Sequence, residues 1–368
     1  MPYHLLVDIS SHGFGHLAQT APVLNALQAR RPALRVTLRS GLPSALLQQH
    51  IAGTFTHINQ VSDFGLCMHN AVDVDVPSSI RQYQGFHAQW EAHLSAYVQQ
   101  LQELQPDLLL ANISYLALAA AQQARIPAMA MCSLNWMDIF FPYVAGNADL
   151  SKIRLQMLAA YNSASTFLRL TPGMAMPDIQ HIRDIGPIAR CGKHDPVKLR
   201  VELGLGATMK LVLVAMGGLP MRLPSTWPEL PEVRWIVPAA AALPRADMIQ
   251  LESIAMCFSD LLASCDCVCT KSGYGTFVEA TLSSTPVLYL KRPDWPEESS
   301  LLTWLKQHNQ AQGMQRQEFE QGLFENKLFR LLHSTPKNAP NALGIDEAVS
   351  LIGARMDAGN GVVQERQK

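Results

Sequence analysis

The sequence predicts an α/β protein built from two doubly wound parallel sheets, and three observations carry that prediction. Apolar strand-like runs alternate with helix-period segments through both halves of the chain, the pattern of βαβ units. Two glycine-rich turns, each following an apolar run and opening a helix, stand 260 residues apart, from Gly13 to Gly273. The length of 368 residues exceeds what a single hydrophobic core organises, so two domains are expected. The expected division is 1–170, then 171–345, then a C-terminal helix with a polar, disordered tail over 346–368.

The elements follow in order. Leu5–Ile9 is a first strand, and Ser11-His12-Gly13-Phe14-Gly15-His16 is the turn after it. Leu17, Ala21, Leu24 and Leu27 recur at helical spacing until Pro32 ends the run. A strand over Leu34–Leu38 comes next, then one long helix from about Arg81 to Gln105, stopped by Pro106. Strands at Leu108–Ala111 and Met129–Met131 flank a helix over Leu116–Ala124. The Pro- and Gly-rich stretch from Thr171 to Pro187 reads as the crossover between domains. The pattern then restarts with Leu211–Ala215 and its turn Gly217-Gly218, followed by strands at Arg234–Val237, Asp266–Cys269 and Val287–Leu290. The second glycine turn, Lys271-Ser272-Gly273-Tyr274-Gly275-Thr276, leaves the third of these four strands, and an amphipathic helix over Ile345–Met356 closes the series.

Composition narrows the function classes. A net charge of −1 with scattered Lys and Arg argues against a nucleic-acid surface, so any phosphate must be held locally. The seven cysteines include no CxxC pair, so no metal site is expected, and a reducing compartment fits them. Cys265, Cys267 and Cys269 alternate along a strand and read as small core residues sharing one face. No signal peptide is expected, because His12 and Gly13 interrupt the first apolar run. Gln122, Gln123, Arg125 and Pro127 break the oily stretch from Ile113 to Cys132, so no membrane span is expected and the protein reads as cytoplasmic.

Glycine at both turns lets the backbone approach a ligand closely, and the N–H groups of a helix start suit an anion. With these residues in place, the chain resembles the GT-B glycosyltransferases, in which two Rossmann-like doubly wound domains face an interdomain cleft. It is similar to the UDP-glycosyltransferases and to the GlcNAc transferase of peptidoglycan synthesis; the first turn, with His16 opening its helix, is also similar to the N-terminal domain of L-arabinokinase. The resemblance implies a metal-independent transfer from a nucleotide-diphosphate sugar, UDP-linked, to a small-molecule or glycan acceptor, with no cofactor beyond the co-substrate. It places the donor on the second domain: Lys271, Ser272, Gly273, Tyr274, Gly275 and Thr276 toward the diphosphate, with Gly217 and Gly218 beside them, and Glu279 toward the ribose. The loop holding Asp294, Glu297 and Glu298 stands where the family binds the donor sugar, although the family's Asp-Gln pair is absent. Lys271 stands where many members have histidine.

On the first domain the resemblance makes His16 the base that takes the acceptor proton, within an acceptor-side loop of His12, Gly13, Phe14 and Gly15. A helix N-terminus disfavours the imidazolium and keeps such a base neutral. Asn112 stands where the family places the aspartate that orients this histidine.

Other readings stay open. Thr276-x-x-Glu279 fits a capping box, in which the carboxylate serves the helix end and needs no ligand. Gly13-x-Gly15-x-x-Ala18 with Arg39 fits an NADP-dependent oxidoreductase. An epimerase, a hydrolase or an inactive nucleotide-sugar-binding protein fits the same fold. Gly204–Lys210 lacks the GK[ST] ending of a phosphate-binding loop, which argues against a kinase.

Overall fold

A computed structural model describes the backbone of residues 3–217 and 221–365, and their side chains as far as Ala358. Gly218 therefore lies outside the described residues. Two sheets form, every strand pair parallel. The first holds β1 (His4–Ile9), β2 (Arg35–Arg39), β3 (Thr56–Ile58), β4 (Leu108–Asn112), β5 (Ala128–Cys132), β6 (Phe167–Leu170) and β7 (Ile182–Ile185), in the order β3-β2-β1-β4-β5-β6-β7. The second holds β8 (Lys210–Ala215), β9 (Val233–Val237), β10 (Met248–Gln250), β11 (Cys267–Lys271), β12 (Val287–Leu290) and β13 (Ala311–Met314), in the order β10-β9-β8-β11-β12-β13. Central strands buried on both faces carry apolar runs, Leu5–Val7 in β1 and Leu108–Ala111 in β4, because helices cover both sides of a parallel sheet.

In each sheet the strand order reverses once beside the first strand. That switch lies between β1 and β4 in the first sheet and between β8 and β11 in the second. A crevice opens at such a point beyond the carboxyl ends of the strands. Both glycine turns leave strands bordering a switch, the first from β1 and the second from β11. Ile9 lies opposite Asn112, and Ala215 opposite Thr270, so each switch carries one turn and one facing strand end.

Contacts divide the chain into a unit of residues 1–67, 74–188 and 343–368 and a unit of residues 68–73 and 189–342. The sequence places its boundaries at 170/171 and 345/346, and the contacts place them elsewhere. β7 is the reason for the first difference. It is a half-exposed edge strand containing Arg183 and Asp184, so it has no apolar run to announce it, and it carries the first sheet beyond Thr171. The C-terminal helix runs from Gly344 to Glu365, longer than the expected 345–356 and reaching into the supposed disordered tail. It packs in the first unit by burying Ala348, Val349, Ile352 and Met356, with an Arg31–Asp357 ion pair at 2.8 Å. Its start lies so close to the β7 end that a Cβ on Gly344 would meet Gly186 O at 2.1 Å.

The expected long helix from Arg81 to Gln105 is two helices, Val76–Ala88 and Trp90–Leu104, broken at Gln89. The rings on either side of the break, His87 and Trp90, stack within 1° of parallel and both lie on Tyr115. That is a tertiary packing demand which helical periodicity does not encode. Cys267 and Cys269 are buried in the core of the second sheet with Trp235 and Leu288, and Cys265 is buried beside them. Burial pushes all three thiols up, Cys267 to about 12, so they are packing residues and remain protonated.

Candidate functional site

The turn after β1 is tight because Gly13 adopts φ +79°, and a Cβ at Gly13 or Gly15 would meet nothing within 4 Å. The helix Gly15–Arg30 begins there with no side-chain cap, Phe14 being its N-cap residue and half exposed. His16 occupies its first turn and is 5% exposed. A chain of amide groups sets its proton. Gln19 Nε2 donates to Ser133 Oγ (3.0 Å), Asn112 Nδ2 donates to Gln19 Oε1 (3.2 Å), and Asn112 Oδ1 thus faces His16 Nδ1 at 2.8 Å. With its acceptor end toward the ring, Asn112 fixes the Nδ1–H tautomer and leaves the Nε2 lone pair for an incoming proton. Burial holds the imidazole at a pKa of about 4, with the Asn112 hydrogen bond opposing. Trp136 lies against both histidines, 5.3 Å from the His16 ring and 4.9 Å from the His12 ring. His12 is tied down instead: its Nε2 pairs with Leu66 O at 3.1 Å and its ring packs on Gly65, where a Cβ would meet it at 2.6 Å.

The structure thus joins His16 to Asn112, 96 positions apart in the chain. It adds Gln19, Ser133, Cys132 and Trp136, which carry no pattern in the sequence because they come from three separate elements. Asp63 is also new. It is 3% exposed and takes a 2.6 Å hydrogen bond from Ser10 Oγ, and burial with the nearby Asp8 raises its pKa to about 7. Arg39, the residue that the NADP reading needs for a 2′-phosphate, is committed elsewhere. It lies over the Tyr97 ring at 4.1 Å, 3.6 Å from the Asp8 carboxylate, and donates to Ser62 at 2.8 Å. That reading loses its phosphate ligand.

In the second unit the helix Tyr274–Leu282 begins at Gly273, again without a side-chain cap. The capping-box alternative fails here: Thr276 is already inside the helix, so Glu279 lies well past the end that such a box serves. The Glu279 carboxylate shows no hydrogen bond among the described residues, and burial raises its pKa to about 7 against the pull of Arg190. Gly275 and Thr276 are first-turn residues whose N–H groups have no helical acceptor. Lys271 ends β11 and its side chain crosses between two glycines. A Cβ at Gly217 would lie 3.0 Å from Lys271 Cε, and one at Gly273 would lie 3.7 Å from Nζ. Burial and the Arg292 guanidinium lower this amine to about 8, opposed by Glu297.

The loop after β12 divides the two glutamates. Glu298 is internal: it accepts from Ser272 Oγ and from the Arg292 N–H, so Ser272 and Glu298 are spent on each other. Glu297, 3% exposed, takes Trp295 Nε1–H at 3.3 Å and faces Lys271. Asp294 is exposed. Among the described residues no three His, Cys, Asp or Glu side chains are grouped as a metal site, and no helix is long and apolar enough to cross a membrane.

No family model matches the chain. Over 335 residues it is 25% identical to L-arabinokinase of Arabidopsis thaliana, covering 89% of this chain and 32% of that protein. The chain thus spans about a third of the length of the curated relative it matches. Among solved structures it is similar to the glycotransferase of kitacinnamycin, with TM-score 0.61, 16% identity, and 100% and 99% of the two chains covered. It is similar to Arabidopsis thaliana UGT89C1, with TM-score 0.62, 13% identity, and 97% and 100% covered; that protein has also been solved complexed with UDP and with quercetin. CalG4, the calicheamicin glycosyltransferase, matches with TM-score 0.59, 13% identity, and 98% and 95% covered. These likenesses show the GT-B fold, as the sequence predicts.

Proposed function

We propose that this chain is a glycosyltransferase that moves a sugar from a nucleotide-diphosphate donor, UDP-linked, to a small-molecule or glycan acceptor. One observation carries the reading. Each of two GT-B sheets places chemistry at its switch point, a neutral, oriented histidine in one and a cationic, glycine-lined helix start in the other. In the first unit His16 Nε2 takes the acceptor hydroxyl proton as that oxygen attacks the anomeric carbon. The bond from that carbon to the diphosphate oxygen breaks, and its electrons leave with the nucleoside diphosphate. In the second unit the Gly275 and Thr276 N–H groups and the Lys271 ammonium meet that developing charge without a metal ion. Glu279 accepts from the ribose hydroxyls. The UDP and quercetin complexes of UGT89C1 favour this choice of ligands. An epimerase, a hydrolase or an inactive binding protein would share the donor half, so the His16 half separates them. The kinase named by the arabinokinase match is not proposed, because Gly204–Lys210 lacks a phosphate-loop ending.

Glu279 supplies the first test. Its folded pKa is raised, so the carboxylate loses stability for the fold as pH climbs from its unfolded value through about 7. Glu279→Gln should therefore melt a few degrees higher than wild type at pH 8 without ligand, a gain of at most about 3 kcal/mol. The same variant should bind UDP more weakly by calorimetry while its affinity for inorganic pyrophosphate changes little, because the lost contact is to ribose. Equal losses for both ligands, or none, would take Glu279 out of the donor site.

Lys271 supplies the second. Its lowered pKa makes UDP affinity fall between pH 7.5 and 9.5 as the ammonium loses its proton. Lys271→Met should weaken UDP at pH 7.5 by roughly 10–150-fold, the worth of one charge-assisted contact, and flatten that pH dependence. A variant that keeps the wild-type slope would show that another group holds the diphosphate.

A further inference from the structure

The six residues Met68–Asp73 lie in sequence inside the first unit and fold with the second. They form a small closed lug. His69 N–H donates to Asp73 O (2.9 Å), Asn70 Oδ1 accepts from Val72 N–H (2.9 Å), and Asn70 Nδ2 donates to Asp73 Oδ2 (2.7 Å). Three attachments seat it. The Val72 side chain, 1% exposed, is buried in the core of the second unit, a cluster that also holds Met216, Leu290 and Met314. Asp73 pairs with Arg316. The Val72 carbonyl accepts from Arg292 Nε at 3.2 Å.

That last bond opens a route to the glycine turn. Arg292 is 3% exposed and lies over the Trp295 ring at 4.3 Å, and its backbone N–H is held by Glu298. Glu298 also holds the Ser272 hydroxyl, and Ser272 immediately precedes Gly273. The core that Val72 joins also contains Met216, next to Gly217, and Leu290, where the loop after β12 begins. We propose that residues 68–73 are a positioning element of the donor turn: Val72 holds Arg292 and, through Glu298, fixes Ser272 and the Gly273–Thr276 backbone. None of the lug residues need touch a ligand for this. A turn that binds through backbone N–H groups depends on their direction, and buried hydrogen bonds behind it set that direction. The proposal rests on the donor reading of that turn, so one arm of its test needs no ligand.

Hydrogen exchange on the full chain, without nucleotide, reads the amides of residues 277–280, whose helical acceptors are the carbonyls of residues 273–276, beginning with Phe277 N–H on Gly273 O. Val72→Ala should speed exchange there by about tenfold while strand β11 keeps its protection, a local loosening and not a global loss of stability. Asp73→Asn, at a partly exposed site that leaves the core intact, should act in the same direction, and Val72→Ile should restore the wild-type pattern. Calorimetry with UDP should show a loss of roughly tenfold for Val72→Ala, within the range for residues coupled through one network. Unchanged exchange at 277–280 in both Val72→Ala and Asp73→Asn would overturn the proposal. Exchange that changes as expected in a protein whose wild type binds no UDP would uphold the positioning role and overturn the donor reading instead.

Discussion

His16→Ala should lower sugar transfer by about 10²–10⁴-fold, the usual worth of a general base, and leave UDP affinity close to wild type. The split follows from the architecture: His16 is held in the first unit by Asn112, and the proposed nucleotide contacts all lie in the second. The pH profile carries a further signature. With the imidazole held at about 4, kcat/KM for the acceptor at saturating donor should stay level from neutrality down to about pH 5 and fall below that, since that profile reports the base of the donor-bound enzyme, in which Glu279 is already engaged. A donor and acceptor must first be found by screening, with UDP-sugars against panels of hydroxylated small molecules and glycans. Full activity in His16→Ala would remove it from the chemistry. Activity abolished by a chelator would overturn the metal-independent mechanism.

How much of this was legible in the sequence differs from one element to the next. Strands buried on both faces announce themselves as apolar runs, so β1, β4, β8 and β12 fall where the sequence places them. β7 does not, because an exposed edge strand carries Arg183 and Asp184 where a central strand carries valine. The two turns are legible because glycine, a strand before and a helix after are all local signals. The orienting contact on His16 was legible only through a resemblance, since Asn112 stands alone in the sequence as the last residue of a strand. The groups behind it, Gln19 and Ser133, are ordinary polar residues whose role exists only once the fold aligns their donors and acceptors. The same holds for Glu298. Sequence places it with Glu297 in a sugar-binding loop, whereas the fold turns one carboxylate inward onto Ser272 and the other toward Lys271. The lug at residues 68–73 carries no local signal, because its partners are more than 200 residues away.

Asn112→Asp should raise the pKa of His16 from about 4 by roughly 1–3 units, the range for an opposite charge in direct contact. In the wild type His16 Nδ1 faces a neutral amide oxygen at 2.8 Å and Cys132 Sγ at 3.8 Å, with no carboxylate on it, so the imidazolium formed during transfer sits buried beside a neutral partner. A carboxylate at that position supplies a countercharge. The surrounding amides accommodate it: a flipped Gln19 side chain donates to the new carboxylate and accepts from Ser133. The two groups then titrate as a coupled pair, so the measured values belong to the pair. Stability shifts in step. A histidine whose folded pKa lies below its unfolded 6.5 contributes fully above 6.5 and loses that contribution as pH falls toward about 4, a change of about 3 kcal/mol in the wild type. The variant should lose less stability across that window. Its acid limb of kcat/KM should move to higher pH, with faster transfer on the neutral side because the cationic intermediate state of the ring is stabilised. NMR titration of the His16 ring in both proteins reads the shift without any acceptor. An identical titration in the two would break the proposed pairing and leave His16 a buried, neutral helix residue.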